Sequence, residues 1–101
     1  MGLKLIFSKK FLDSTQDLFF YLESKWSVKV KEEFSSNLQK KLDNLLSHPE
    51  SCILSSKKEG LRKCVVSKQT SIYYKIDREE IRILALFDNR MNPTKIKKKL
   101  L

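Results

Sequence analysis

Lysine and arginine are the side chains with which this protein could do chemistry: there are 21 of them against 12 Asp and Glu, a formal net charge of +9. The excess is segregated. Residues 1–50 hold 8 Lys/Arg and 7 Asp/Glu, whereas residues 51–101 hold 13 and 5. A basic excess gathered in one half of a small domain suits contact with a polyanion or an acidic protein; a solvated surface that aids solubility is the plainer alternative. Other reactive types are few. The single histidine, His48, precedes Pro49 and reads as a helix-end residue with a capping or solvent role. Cys52 and Cys64 lack metal-ligand spacing with it and are too few for a disulfide framework, so reduced thiols and no metal or other cofactor are expected. Glu59 could act as a base, but nothing in the sequence positions it. Two glycines in the whole chain leave no Gly-rich phosphate loop.

These side chains need a scaffold to hold them. A length of 101 residues fits one domain, and 41% apolar residues with six Phe, three Tyr and one Trp are enough for a folded core. Met1 is followed by charged, amphipathic sequence with no long apolar run. Neither a signal peptide nor a membrane span is expected, and the chain reads as cytoplasmic.

Leu3–Phe7 is a short β-rich run and the first strand. Ser8 can cap a helix in which Phe11, Leu12, Leu18, Phe19, Leu22 and Trp26 recur at helical spacing, ending near Lys25 and Trp26. Ser27 can cap a second helix with Val30, Phe34, Leu38, Leu42, Leu45 and Leu46 as its apolar stripe, stopped at His48-Pro49. The short link makes the two an antiparallel hairpin. Residues Pro49–Gly60 show no period and read as a loop. Leu61–Val66 is a second strand. Ile72, Tyr74 and Ile76 alternate with Tyr73, Lys75 and Asp77 in a third, and Ile81, Ile83, Ala85 and Phe87 alternate with Arg82, Leu84, Leu86 and Asp88 in a fourth, joined by turns short enough for hairpins. The architecture expected is α+β: a β-α-α-β-β-β order, a helical hairpin on one face of a mostly antiparallel four-stranded sheet, and a basic C-terminal segment containing Lys97–Lys99. Strand alternation puts Tyr74 in the core and leaves Tyr73 on the surface, where it could stack on a base.

That order of elements resembles the RelE/ParE superfamily of bacterial toxins. Local matches are Phe11-Leu12 to Tyr21-Leu22 in the first helix, Leu45–Glu50 as a leucine-rich helix end followed by proline, Leu61-Arg62-Lys63 opening a strand, Ile72-Tyr73-Tyr74 in the next, and Leu86–Arg90 ending the last. The resemblance covers nearly the whole chain. It implies one toxin domain, residues 1–101, of a type II toxin–antitoxin pair, with a cognate antitoxin as partner. Of the activities it implies, ribosome-dependent cleavage of mRNA is the one expected here, on the basic sheet half and the matched arginine positions; the alternative is poisoning of DNA gyrase without nuclease chemistry. A non-toxic basic nucleic-acid-binding module is a third reading, but no helix carries a clustered Arg/Asn/Gln recognition set.

If the chain cuts RNA without a metal, it needs a group to accept the 2′-hydroxyl proton, positive charge on the phosphorane, and an acid for the leaving oxygen. By resemblance, Arg62 and Arg90 are the catalytic candidates, each matching a phosphate-binding arginine, and both are expected near the open sheet face. A guanidinium suits a phosphate through two parallel donors. Lys57, Lys58, Lys63 and Tyr73 are the candidate substrate-binding residues. Each has a plainer account: Arg62 as a solubilising strand residue, Arg90 as a turn residue bonding Asp88, the lysines as solvated cations, Tyr73 as cross-strand packing. The tail Arg90–Ile96 departs from the nuclease pattern, having no Tyr or His. Cys64 shares a strand face with Arg62 but has no base beside it. Trp26 and the helix stripes are accounted for by the core, and any of them left exposed would contact the antitoxin.

Overall fold

The computed structural model describes residues 3–55 and 59–90. Lys57, Lys58 and the Lys97–Lys99 run lie outside the described residues. Strand β1 (Lys4–Phe7) leads into helices α1 (Lys9–Lys25) and α2 (Val28–Ser47), followed by β2 (Ile53–Leu54), β3 (Arg62–Val65), β4 (Thr70–Asp77) and β5 (Glu80–Asp88). The strands form one sheet in the order β1-β5-β4-β3-β2, with β1 parallel to β5 and the other pairs antiparallel. The expected α+β architecture is therefore present, with five strands in place of four. The extra strand, β2, lies inside the stretch read as a loop. Two residues are too few to show a period.

Both helix starts follow from their caps. Ser8 and Ser27 have extended backbone, and their hydroxyls accept from the N–H groups of Phe11 and Val30, each at 3.0 Å. His48 closes α2 ahead of Pro49. The core gathers Phe11, Leu18 and Leu22 of α1, Phe34, Leu38, Leu42 and Leu45 of α2, and Cys64, Ile72, Tyr74, Ile81, Ile83 and Leu86 of the sheet. Fully burying side chains of this kind contributes about 1.5–3 kcal/mol each before entropy is counted. Leu12, Phe20 and Trp26 are instead 52%, 65% and 58% exposed, so Leu12 and Trp26 leave the stripe to which spacing assigns them. Trp26 is the C-cap, with φ −119° and ψ −86°, and the helical period no longer sets its direction.

The register of β4 with β5 corrects the expected faces. Tyr73 pairs with Ala85 and Tyr74 with Ile83, so Leu84 is an extra residue in β5. One inserted residue reverses every later side chain. Ile81 and Ile83 face the helices, but beyond the bulge it is Leu86 and Asp88 that do so, while Ala85 and Phe87 turn away. The bulge is tied to the start of α1. The Ser8 backbone N–H donates to Ile83 O at 3.0 Å, and the Ser8 hydroxyl donates to Leu84 O at 2.8 Å while accepting from Phe11. One serine thus caps a helix and holds a bulge in place.

Candidate functional site

The bulge delivers Asp88 to the interior. Its register partner is Thr70 at the start of β4, and both residues are 1% exposed. The Thr70 hydroxyl donates a short hydrogen bond to Asp88 Oδ2. Arg90, just past β5, closes the group: Nε donates to Asp88 Oδ1 at 3.0 Å, Nη2 to Oδ2 at 2.7 Å, and its backbone N–H to Oδ1 at 2.9 Å. Nη2 also reaches Thr70 Oγ1 at 3.5 Å. Two parallel N–H donors on one carboxylate make the strong, planar form of the ion pair. Hydrogen bonding to Asp88 raises the Arg90 guanidinium above its already high ordinary range, outweighing the effect of burial. A hollow of about 160 Å³ adjoins Arg90, walled by α2 (Val30, Glu33, Phe34, Asn37) and the turn residues Ser67 and Gln69.

Arg62 sits four residues away along β4, opposite Tyr74, or about 13 Å at roughly 3.3 Å per residue. It is half-buried on the helix-facing side of the sheet, not on the open face expected for it. Its Nη1 donates to Cys52 O at 2.7 Å and reaches Glu50 O at 3.5 Å. The neighbouring Tyr74 hydroxyl donates to Pro49 O at 2.7 Å. Burial pushes the Tyr74 phenol above its usual value, against smaller opposing contributions from the Cys52 backbone and the Arg62 charge. Together these bonds hold the chain leaving α2 against the sheet. Glu50 did not stand out from sequence as a neighbour of Arg62, because that contact depends on where the departing chain runs, and Tyr74 meets Arg62 through the β3–β4 register.

Lys63 and Tyr73 are register partners on the opposite face. Lys63 is exposed, but Tyr73 is only 6% exposed and packs edge-on to Phe87 with ring centroids 5.5 Å apart. The expectation of a surface Tyr73 is corrected: the bulge that turns Phe87 outward gives the tyrosine a packing partner. The structure thus brings Lys63 beside Tyr73, and separates Arg62 from Arg90. The expected reduced thiols are also corrected, since Cys52 and Cys64 form a disulfide with Cα atoms 5.2 Å apart. That pairing depends on β2, which the sequence does not display.

A larger hollow, about 550 Å³, lies at the β4–β5 turn among Lys4, Arg78, Arg82, Asp77, Glu79 and Glu80. Its three cations are matched by three anions, and Arg82 is bonded to Glu80 at 2.8 Å and lies 3.6 Å from Asp77. It offers no net attraction for a polyanion. Among the described residues no group of His, Cys, Asp and Glu could hold a metal ion, and no helix is long and apolar enough to cross a membrane.

The fold is shared with small toxin structures. The chain is similar to a protein of the chromosomal ParDE toxin–antitoxin system of P. aeruginosa, with TM-score 0.73 and 12% identity over 85% of this chain and 95% of that one. It is also similar to a conserved hypothetical protein of Helicobacter pylori (TM-score 0.58, 22% identity, 87% and 96% covered) and to a chain of the E. coli DinJ-YafQ toxin–antitoxin complex (0.62, 10%, 89% and 96%). No curated protein matches the sequence significantly. The family model for the ParE toxin of the type II toxin–antitoxin system parDE matches residues 5–93. The chain belongs to that family.

Proposed function

We propose that this toxin is held inactive by a cognate antitoxin and, once released in the cytoplasm, disables DNA gyrase by binding it, without cutting mRNA. The observation that carries the reading is the engagement of the candidate phosphate-binding Arg90 by the buried carboxylate of Asp88. Arg90 is spent on Asp88 through two donor pairs, whereas Arg62 donates to the carbonyl of Cys52. Freeing Arg90 for a phosphate would strand a buried carboxylate, a penalty of several kcal/mol. A ribonuclease also needs an acid and a base beside the phosphate, and the sequence after Arg90 has neither Tyr nor His. The family match to ParE points the same way. A binding poison requires only a complementary surface.

An antitoxin partner is supported by the toxin–antitoxin systems among the similar structures. Exposed Leu12 and Trp26, with Phe20, give it apolar contacts on the helical hairpin. The net charge of +9 favours an antitoxin that is acidic and partly disordered until it binds.

The experiment pairs two assays on the purified chain: gyrase supercoiling, and cleavage of a defined mRNA on translating ribosomes. The reading predicts blocked supercoiling and intact mRNA, with the block relieved by the antitoxin. Ribosome-dependent cuts with normal supercoiling would overturn it.

A further inference from the structure

The disulfide joins two very different environments. Cys64 is in the core, 1% exposed and paired in register with Ile72. Cys52 is half-buried and immediately precedes β2 at the sheet edge. β2 has two residues, Ile53 and Leu54, which pair with Lys63 and Arg62. Their side chains are 73% and 61% exposed, so almost no core burial holds this strand. Among its noncovalent attachments are that short ladder, the Ser55 N–H to Leu61 O bond at 2.6 Å, and the Arg62 bond to Cys52 O at 2.7 Å. A two-residue edge pairing with exposed side chains opens readily on its own.

The flanking segments are anchored independently. The chain leaving α2 is tied at Pro49 by Tyr74, and β3 keeps four pairs with β4 from Arg62 to Val65. Breaking the sulfur–sulfur bond would therefore loosen the edge and leave the rest of the sheet and the helices in place.

We propose that Cys52–Cys64 is a redox-operated latch on the sheet edge. Oxidised, it keeps β2 over the outer edge of β3 and Arg62 clamped to the Cys52 carbonyl. Reduced by a cellular dithiol, it lets β2 leave, opens the β3 edge to pairing with another extended chain, and releases Arg62. The thiolate of the dithiol attacks Cys52 Sγ, the more accessible sulfur, forming a mixed disulfide and expelling the Cys64 thiolate, which takes up a proton. The second thiol of the reductant then displaces Cys52 as a thiolate, which is protonated. The reductant leaves as a disulfide, so two electrons and two protons have passed to the cysteine pair. An oxidised disulfide such as glutathione disulfide runs the reaction in reverse. The latch does not depend on the target proposed above.

Hydrogen exchange read by mass spectrometry tests it on the full chain, equilibrated with glutathione disulfide or with excess dithiothreitol. The latch predicts exchange roughly tenfold faster across residues 53–55 and at Arg62–Lys63 in the reduced form, with Cys64, Val65, α1, β4 and β5 unchanged and protection restored on reoxidation. The double variant Cys52→Ser/Cys64→Ser should match the reduced pattern in both buffers. Three results would overturn the proposal: no change at the edge on reduction, loss of protection throughout the chain, or thiols that stay unpaired in glutathione disulfide.

Discussion

Two positions along β4, Thr70 at its start and Tyr74 further on, each face an arginine from a neighbouring segment, and the two arginines are used in opposite ways. At Thr70, Arg90 forms an ion pair whose carboxylate is wholly buried and whose guanidinium side chain is 15% exposed. At Tyr74, Arg62 caps backbone carbonyls of a segment that lies over the sheet edge. The first corner has strong local electrostatics and little freedom. The second is a set of single bonds supplemented by a disulfide. The same residue type therefore makes intramolecular bonds in both places, but with very different consequences when it is removed.

The sharpest break in that contrast is Asp88→Ala. It leaves the Arg90 cation largely buried with its main partner gone, and a loss of about 3–5 kcal/mol is expected. Urea unfolding of the variant should show a lower midpoint at unchanged slope. Arg62→Ala removes one hydrogen bond to an accessible carbonyl and should cost only about 1 kcal/mol. If the two losses were equal, the distinction between the corners would fail.

Opening the latch comes next. Cys52→Ser/Cys64→Ser should lower stability by about 3 kcal/mol through the unfolded chain's regained freedom, measured against the oxidised parent. Ser8→Ala follows, at about 1–2 kcal/mol, since that serine caps α1 and also bonds the carbonyl of the bulged Leu84.

Tyr74 gives the smallest effect near neutral pH and a distinctive one in alkali. Tyr74→Phe loses the bond to Pro49 O and should cost about 1 kcal/mol. Because the folded-state pKa is raised, the neutral phenol is favoured by folding. The corresponding stability is fully present below the unfolded value of about 10 and is lost as pH rises through the higher folded value. Unfolding measured from pH 9 upward should show that alkaline decline in the parent and a shallower one in Tyr74→Phe.

Much of the scaffold was readable because it rests on local rules. Ser8 and Ser27 announce the helix starts, Pro49 the helix end, and the apolar alternation most of the sheet. Two features stayed hidden for physical reasons. A bulge such as that at Leu84 adds a residue without changing the alternation visible in sequence, yet it moves Asp88 inward and Phe87 outward. A two-residue strand such as β2 has no period at all, and with it went the cysteine pairing and the setting of Arg62. The site was therefore less legible than the fold: the candidate arginines could be picked out, but their partners depend on those two irregularities. The contact between Arg90 and Asp88, weighed from their closeness in sequence, is present, with Thr70 as a third member that only the strand register reveals.

The most direct test of the central claim is induced expression in bacteria of the parent and of Arg62→Ala, with growth followed and cellular mRNA ends mapped. The account predicts arrest by both, with no new ends inside translated codons. Arrest by the parent alone, accompanied by codon-internal cuts that vanish in Arg62→Ala, would contradict it and make Arg62 a catalytic residue.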